Sequence, residues 1–225
     1  DNLGQIFIKG LGDKRTFSRY STLSRNLDYF FTGYLNKIQK KHDKNTYIVY
    51  SGGDDLFIVG KWDLLMKMAK EIRDKFAEWT CHNPQISLSG GIAIVTPKFP
   101  ILKGANEAEK EEKTAKNYEN TNAGLEKNAF SLWEHALSWK EGYEFDIVLE
   151  LKNKFIELLN KEKPMPKSLL GHISAFAEQR KLQQKNKKNE SWQWQMAYQL
   201  ARFEKRQNDY DLKKLIEEIK INVFI

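Results

Sequence analysis

With 225 residues, 40% hydrophobic and 12% aromatic, the chain can fill one large domain or two modest ones, which excludes disorder over most of its length. No run of about 18 uncharged apolar residues occurs, so no membrane-spanning helix and no membrane partner is expected. A formal charge of +7 and one cysteine, Cys81, favour polyanionic partners and exclude an internal disulfide. The four histidines, His42, His82, His135 and His172, share no metal-ligand spacing. These features read as a soluble protein of cytoplasmic type.

The chain opens inside a polar-apolar pattern with no leader, at Asp1-Asn2-Leu3-Gly4. Phe17, Tyr20, Leu23, Leu27, Phe30, Phe31, Tyr34 and Ile38 then recur at intervals of three and four, which predicts a helix over 16–41. Two β-branched and aromatic runs follow, Tyr47-Ile48-Val49-Tyr50 and Leu56-Phe57-Ile58-Val59. The turn signal Ser51-Gly52-Gly53-Asp54-Asp55 between them makes a hairpin. Leu65, Met68, Ile72, Phe76 and Trp79 set a second helix. Ile86, Leu88, Ile92, Ile94 and Val95 predict a strand through Gly90-Gly91. A third helix, rich in Glu and Lys, spans 105–116, and Phe130 to Trp133 is a further short strand.

The order predicts an α+β fold, a ferredoxin-like βαββαβ sandwich whose first strand would lie just before Asp1. Residues 117–128 and 183–189 read as polar joints. After Gly142 strands give way to four helical patterns, marked by Ile147 to Leu158, Leu169 to Phe176, Trp192 to Phe203 and Leu212 to Ile219. Ile221 to Ile225 reads as an apolar strand, and both ends read as cut from a longer polypeptide. The expected domains are therefore a palm at 1–141 and a small all-α domain at 142–225. In the latter, Trp192, Trp194 and Tyr198 serve the core on one face and leave another for contact. The one basic cluster, Arg180, Lys181, Lys185, Lys187 and Lys188, reads as a solvated helix end or, alternatively, a phosphate site.

The chemistry concentrates in Tyr50-Ser51-Gly52-Gly53-Asp54-Asp55-Leu56. Adjacent carboxylates at a hairpin tip repel one another unless a cation joins them, and hard oxygen ligands suit Mg²⁺ with substrate phosphates. Two glycines let a triphosphate approach their backbone N–H groups. The competing reading is a plain glycine-rich turn made soluble by its acids. Asp1, at the carboxyl end of the expected first strand, would complete with Asp54 and Asp55 a cluster able to hold two metals roughly 3.5–4 Å apart. Lys116 follows Ala108-Glu109 by two helical turns and could reach a triphosphate held by the glycine turn; a merely solvated lysine is the bland alternative.

Asp1-Asn2-Leu3-Gly4, the helix from Phe17-Ser18-Arg19 to Phe30-Phe31-Thr32-Gly33-Tyr34-Leu35, and Tyr50-Ser51-Gly52-Gly53-Asp54-Asp55 together resemble the large subunit of type III-A (Csm) CRISPR effector complexes. Ser89-Gly90-Gly91-Ile92, Asn128-Ala129-Phe130, Trp139-Lys140-Glu141, Trp192-Gln193-Trp194 and Tyr198-Gln199-Leu200-Ala201-Arg202 extend the likeness over nearly the whole chain. The match corresponds to that subunit's second palm and C-terminal helical domain. The family's HD nuclease, its first palm and the first aspartate of its Asp-x-Asp-Asn element fall outside this sequence.

The resemblance implies a palm similar to GGDEF nucleotide cyclases that makes cyclic oligoadenylates from ATP when the complex binds target RNA. It implies Mg²⁺ or Mn²⁺ on Asp1, Asp54 and Asp55, with Asp54 and Asp55 catalytic. Ser51, Gly52, Gly53 and Lys116 would then contact the nucleotide. The implied partners are the other Csm subunits, guide and target RNA through the complex, and the first palm of the full-length chain. Two rival readings stand beside it: a catalytically silent palm that scaffolds an RNA-guided complex, and a stand-alone dinucleotide cyclase.

Overall fold

Thr16 begins the first long helical arm: its hydroxyl accepts the Arg19 N–H at 3.3 Å, satisfying one donor that a helix start leaves open. In the computed structural model, which describes residues 1, 3–10, 12–53, 55–121, 124–186 and 191–224, the chain forms two compact units, Asp1–Asp146 and Ile147–Ile225. Among the described residues no helix is long and apolar enough to cross a membrane.

The first unit opens with α1 (Leu3–Gln5), a π-turn at Ile6–Gly10 and a 3₁₀ turn at Gly12–Lys14. The arm follows as α2 (Phe17–Asp28), a π-helical segment Tyr29–Tyr34 and α3 (Leu35–Lys40). The single helix expected over 16–41 is thus interrupted by a wider turn. The reason is packing. Phe30 and Phe31 are neighbours in sequence yet both buried, and the i→i+5 spacing of a π-turn narrows the angle between successive side chains. Phe30 meets the rings of Phe31, Tyr34, Phe76 and Trp79 at centroid distances of 5.1–5.7 Å, with Phe76 nearest at 5.1 Å.

The expected hairpin is β1 (Thr46–Gly52) and β2 (Asp55–Gly60), antiparallel from Thr46↔Gly60 to Gly52↔Asp55 with a bulge between Ile48 and Tyr50. α4 (Trp62–Trp79) lays Met68, Ile72 and Phe76 against Leu27, Phe30, Phe31, Leu35 and Ile38 of the arm. Ile48, Leu56 and Ile58 of the hairpin pack on that core, as do Ile86 and Leu88.

The strand expected over 86–95 is reduced to β3 (Gly90–Ile92). Ahead of it the Leu88 carbonyl is claimed from outside a ladder, by the Trp139 indole at 2.9 Å. α5 (Ile101–Lys116) starts directly after Pro100, a turn earlier than expected. A Cβ on Gly91 would lie 2.3 Å from the Glu112 nitrogen, so β3 and α5 touch backbone to backbone. The joint expected over 117–128 holds a small hairpin, β4 (Glu119–Asn120) with β5 (Leu125–Glu126).

β3 pairs in parallel with β6 (Ala129–Leu132), which turns back antiparallel into β7 (His135–Ser138). The β6–β7 turn has positive φ at both Trp133 and Glu134, 55° and 64°. This is the twist that a two-residue hairpin favours, at a steric cost for non-glycine residues. Glu111 of α5 offsets that cost. Its carboxylate accepts from Glu134 N at 2.9 Å and from Ser131 Oγ at 2.5 Å. The described elements are thus mixed α and β in the expected order. Their strands form separate ladders, β1–β2, β3–β6–β7 and β4–β5.

The second unit contains α6 (Glu144–Leu159, from Ile147 onward), α7 (Ser168–Asn186), α8 (Ser191–Lys205) and α9 (Tyr210–Phe224). Leu158, Leu169, Trp192, Met196, Leu200, Leu215 and Ile216 are among its core residues. Trp192 is buried whereas Trp194 and Tyr198 are exposed. The strand expected at 221–225 is instead the end of α9, which runs to Phe224; Ile225 lies outside the described residues. α7 likewise continues to Asn186, into the joint expected at 183–189, of which 187–189 lie outside the described residues. Of the basic cluster, Lys187 and Lys188 lie outside the described residues, and Arg180 sits 5.9 Å over the Trp192 ring.

Candidate active site

The hairpin tip is built by a two-residue turn between the paired residues Gly52 and Asp55. Gly53 has φ +65°, a conformation that a side chain disfavours, and a Cβ there would meet nothing within 4 Å. Backbone geometry, not crowding, requires this glycine. Asp55 is exposed at the start of β2. Asp54, expected to be a metal ligand and catalytic, lies outside the described residues. Ser51 turns its hydroxyl inward and donates to the Phe31 carbonyl at 2.6 Å.

Asp1 sits beside the segment leading into β3. Ser87 Oγ and Ser89 Oγ both donate to its Oδ2, at 2.9 and 2.7 Å. Two hydroxyls on one carboxylate oxygen fix its orientation. Lys116, at the last turn of α5, pairs with Glu112 one turn earlier at 2.7 Å. An ion pair this exposed contributes only about 0.2–1 kcal/mol, so a more highly charged anion can draw the lysine away.

A cavity of about 420 Å³ joins these parts. Asp1, Ser87, Ser89, Glu112, Lys116 and Lys127 supply much of its polar lining, and Leu27, Phe31, Phe76, Ile86 and Leu88 much of its apolar wall. Asp1 and Lys116, 115 positions apart in the sequence, therefore share one cavity. Ser51, Gly52, Gly53 and Asp55 are not among its lining residues, and the Ser51 bond to Phe31 is what links the tip to the cavity wall. Ser87, Ser89 and Glu112 escaped sequence reasoning. The spacing Ser87-x-Ser89 was the available signal, since alternate residues of an extended segment face one way. Glu112 and Lys116 stand at the i,i+4 distance of a helix pair.

The oxygen donors suit a hard divalent cation in kind. Among the described residues no group of three or more His, Cys, Asp or Glu side chains gathers at metal-holding distance.

Comparison with known proteins gives a consistent picture. The family model for the second palm domain of Cas10/Cmr2 matches residues 1–125. The single-strand-specific deoxyribonuclease Cas10/Csm1 (subtype III-A) of Methanocaldococcus jannaschii is 42% identical over 179 residues, covering 72% of this chain and 22% of the relative. That of Enterococcus italicus is 35% identical over 173 residues, covering 76% and 21%. The chain thus spans about a fifth of the length of the curated relatives it matches. Among solved structures, Csm1 of T. onnurineus aligns with a TM-score of 0.64 at 26% identity, covering 95% of this chain and 32% of that one. A Csm1–Csm4 cassette in complex with pppApA aligns with a TM-score of 0.63 at 24% identity, over 88% and 29% of the two chains, a likeness of fold. Another, in complex with cA3, gives 0.63 at 21% identity over 96% and 34%.

Proposed function

Because the chain belongs to the Cas10/Cmr2 second-palm family, we propose that it is the nucleotidyltransferase part of an RNA-guided type III-A CRISPR effector. In this reading it makes cyclic oligoadenylates from ATP when the complex binds target RNA. The observation that carries the reading is the shared cavity of Asp1 and Lys116, walled by the residue to which the glycine tip is tied. Solved relatives crystallised with pppApA and cA3 support adenylates as the chemistry. We read residues 1–141 as a palm resembling GGDEF cyclases on a ferredoxin-like plan, and 142–225 as a helical domain that meets neighbouring subunits.

The chain's residues would divide the work as follows. Gly52 and Gly53 let phosphates approach the backbone closely, and Lys116 leaves Glu112 to hold phosphate charge. Asp54 and Asp55 at the tip, with Asp1 oriented by Ser87 and Ser89, would hold Mg²⁺ or Mn²⁺. Metal bound there supplies neutralisation of the charge that spreads onto the leaving pyrophosphate. The 3′-hydroxyl oxygen of a second ATP would bond to the α-phosphorus as the bond to pyrophosphate breaks, its proton passing to water. That second ATP would sit on the first palm of the full-length protein.

Csm4, present with two of the solved relatives, is the expected neighbour, along with the other Csm subunits, guide RNA and target RNA in a cytoplasmic complex. We assign the deoxyribonuclease activity in the relatives' names to sequence outside these 225 residues. The test is Asp54→Ala with Asp55→Ala in the assembled, target-bound complex, read by mass spectrometry of the products. Oligoadenylate synthesis should vanish while RNA binding persists. Synthesis at the unmodified rate would overturn the proposal.

A further inference from the structure

Ser51 and the π-helical segment form a matched pair. In an α-helix the Phe31 carbonyl would accept the N–H of Leu35. Here the Leu35 N–H goes to Phe30 instead, and α-helical spacing resumes from Leu35 onward. Passing from five-residue back to four-residue spacing leaves one carbonyl without a helical donor, and the count places it at Phe31. That residue is only 3% exposed, so water is a poor substitute for the lost partner. The hydroxyl that reaches this carbonyl, at 2.6 Å, belongs to Ser51, twenty residues away and next to the first glycine of the tip.

We infer that Ser51 is a positioning residue: its hydroxyl latches the Gly52-Gly53 tip to the π-turn of the helix that walls the cavity holding Asp1 and Lys116. A serine has one hydroxyl proton, and Phe31 takes it. What remains on Ser51 Oγ is acceptor capacity, unsuited to phosphate oxygens, which also accept. The latch therefore replaces the nucleotide contact expected of this side chain. It sets the distance between Asp55 and the cavity, and a small misplacement there costs rate more than binding. The inference rests on the proposed cyclase reading for its catalytic consequence, but not for the latch itself.

The experiment compares Ser51→Ala, Ser51→Thr and Ser51→Cys with the parent full-length protein in its complex. Amide hydrogen exchange is read over 29–35 and 51–57, and kcat and KM for ATP are measured beside it. Ser51→Ala should speed exchange in both segments about tenfold and lower kcat about tenfold, with KM changed less than twofold. Ser51→Thr, which keeps the donor, should restore both readings to within about threefold, and Ser51→Cys, a weaker donor, should fall between. If Ser51→Ala is too unstable to assemble, the order parent, Thr, Cys in exchange decides alone. Unchanged exchange in both segments overturns the latch, and a raised KM with unchanged kcat marks Ser51 as a nucleotide contact after all. Should the parent turn over no ATP while the exchange differences hold, the cyclase reading fails and the latch stands.

Discussion

The indole nitrogen of Trp139 donates to the Leu88 carbonyl at 2.9 Å, across 51 positions of sequence. The same N–H is shared with Asn128 Oδ1 at 3.1 Å, and the indole lies 3.1 Å from where a Cβ on Gly90 would be. One buried tryptophan thus fixes the height of the segment that carries Ser87 and Ser89. Trp139→Phe keeps a ring in the core but leaves the Leu88 carbonyl without this donor. It should cost about 1–3 kcal/mol in urea unfolding. An unchanged midpoint would show the indole N–H to be dispensable.

Gly91→Ala should be more damaging than its single methyl implies. The added carbon would lie 2.3 Å from Glu112 N and 2.5 Å from the Glu111 carbonyl carbon, both backbone atoms. Strand and helix must separate, at a cost of about 1–3 kcal/mol or more. Gly171→Ala is the contrast: it lies in α7 with nothing within 4 Å and should stabilise by about 0.5–1 kcal/mol. Thermal melts of the two variants should move in opposite directions.

The phenol of Tyr118 should ionise above its ordinary value near 10. Burial raises it, and so does the hydrogen bond it donates to Glu144 Oε1 at 2.7 Å. A folded value above the unfolded one gives stability that is full below about pH 10 and is lost as pH rises through the folded value. Glu144→Gln removes the acceptor's charge and should lower the transition. Spectrophotometric titration, with Tyr118→Phe identifying the signal, checks this.

At the acid end, Glu71 works with the opposite sign. Burial pushes its carboxyl upward, but the hydrogen bond and charge of Lys41, aided by His42, outweigh it and the net direction is down. Its contribution is present above the ordinary value near 4.5 and disappears as pH falls through the lowered one. Lys41 is largely exposed, so the effect is small. Glu71→Gln should flatten the loss of urea stability between about pH 5 and 3.

Periodicity made the arm, the GGDD-bearing hairpin and the four late helices legible, because each buries one face. It missed the π-turn, since the pair Phe30-Phe31 fits an α-helix pattern and only tertiary contact with Phe76 and Trp79 shows why both are inside. It overreached at Ile86 and Leu88, where apolar character reflects core packing without a strand ladder. At Ile221 the β-branched run suggested a strand, but Leu215, Ile216 and Ile219 already bury one side of a helix that simply continues. For the candidate site, Asp1 and Lys116 were expected from chemistry, spacing and the family resemblance, and both line one cavity. The grip of Ser87 and Ser89 on Asp1 depends on which way an irregular segment faces, which composition does not encode.

Glu111 and Glu112 are consecutive, yet the first holds the β6–β7 turn and the second pairs with Lys116 at the cavity. A helix rotated about its own axis would have to release the Glu111 grip on Ser131 and Glu134, whereas the Glu112–Lys116 pair, internal to α5, would turn with it. α5 is therefore keyed at one point: rolling it to re-aim its terminal lysine would first have to unlock the β6–β7 turn from Glu111.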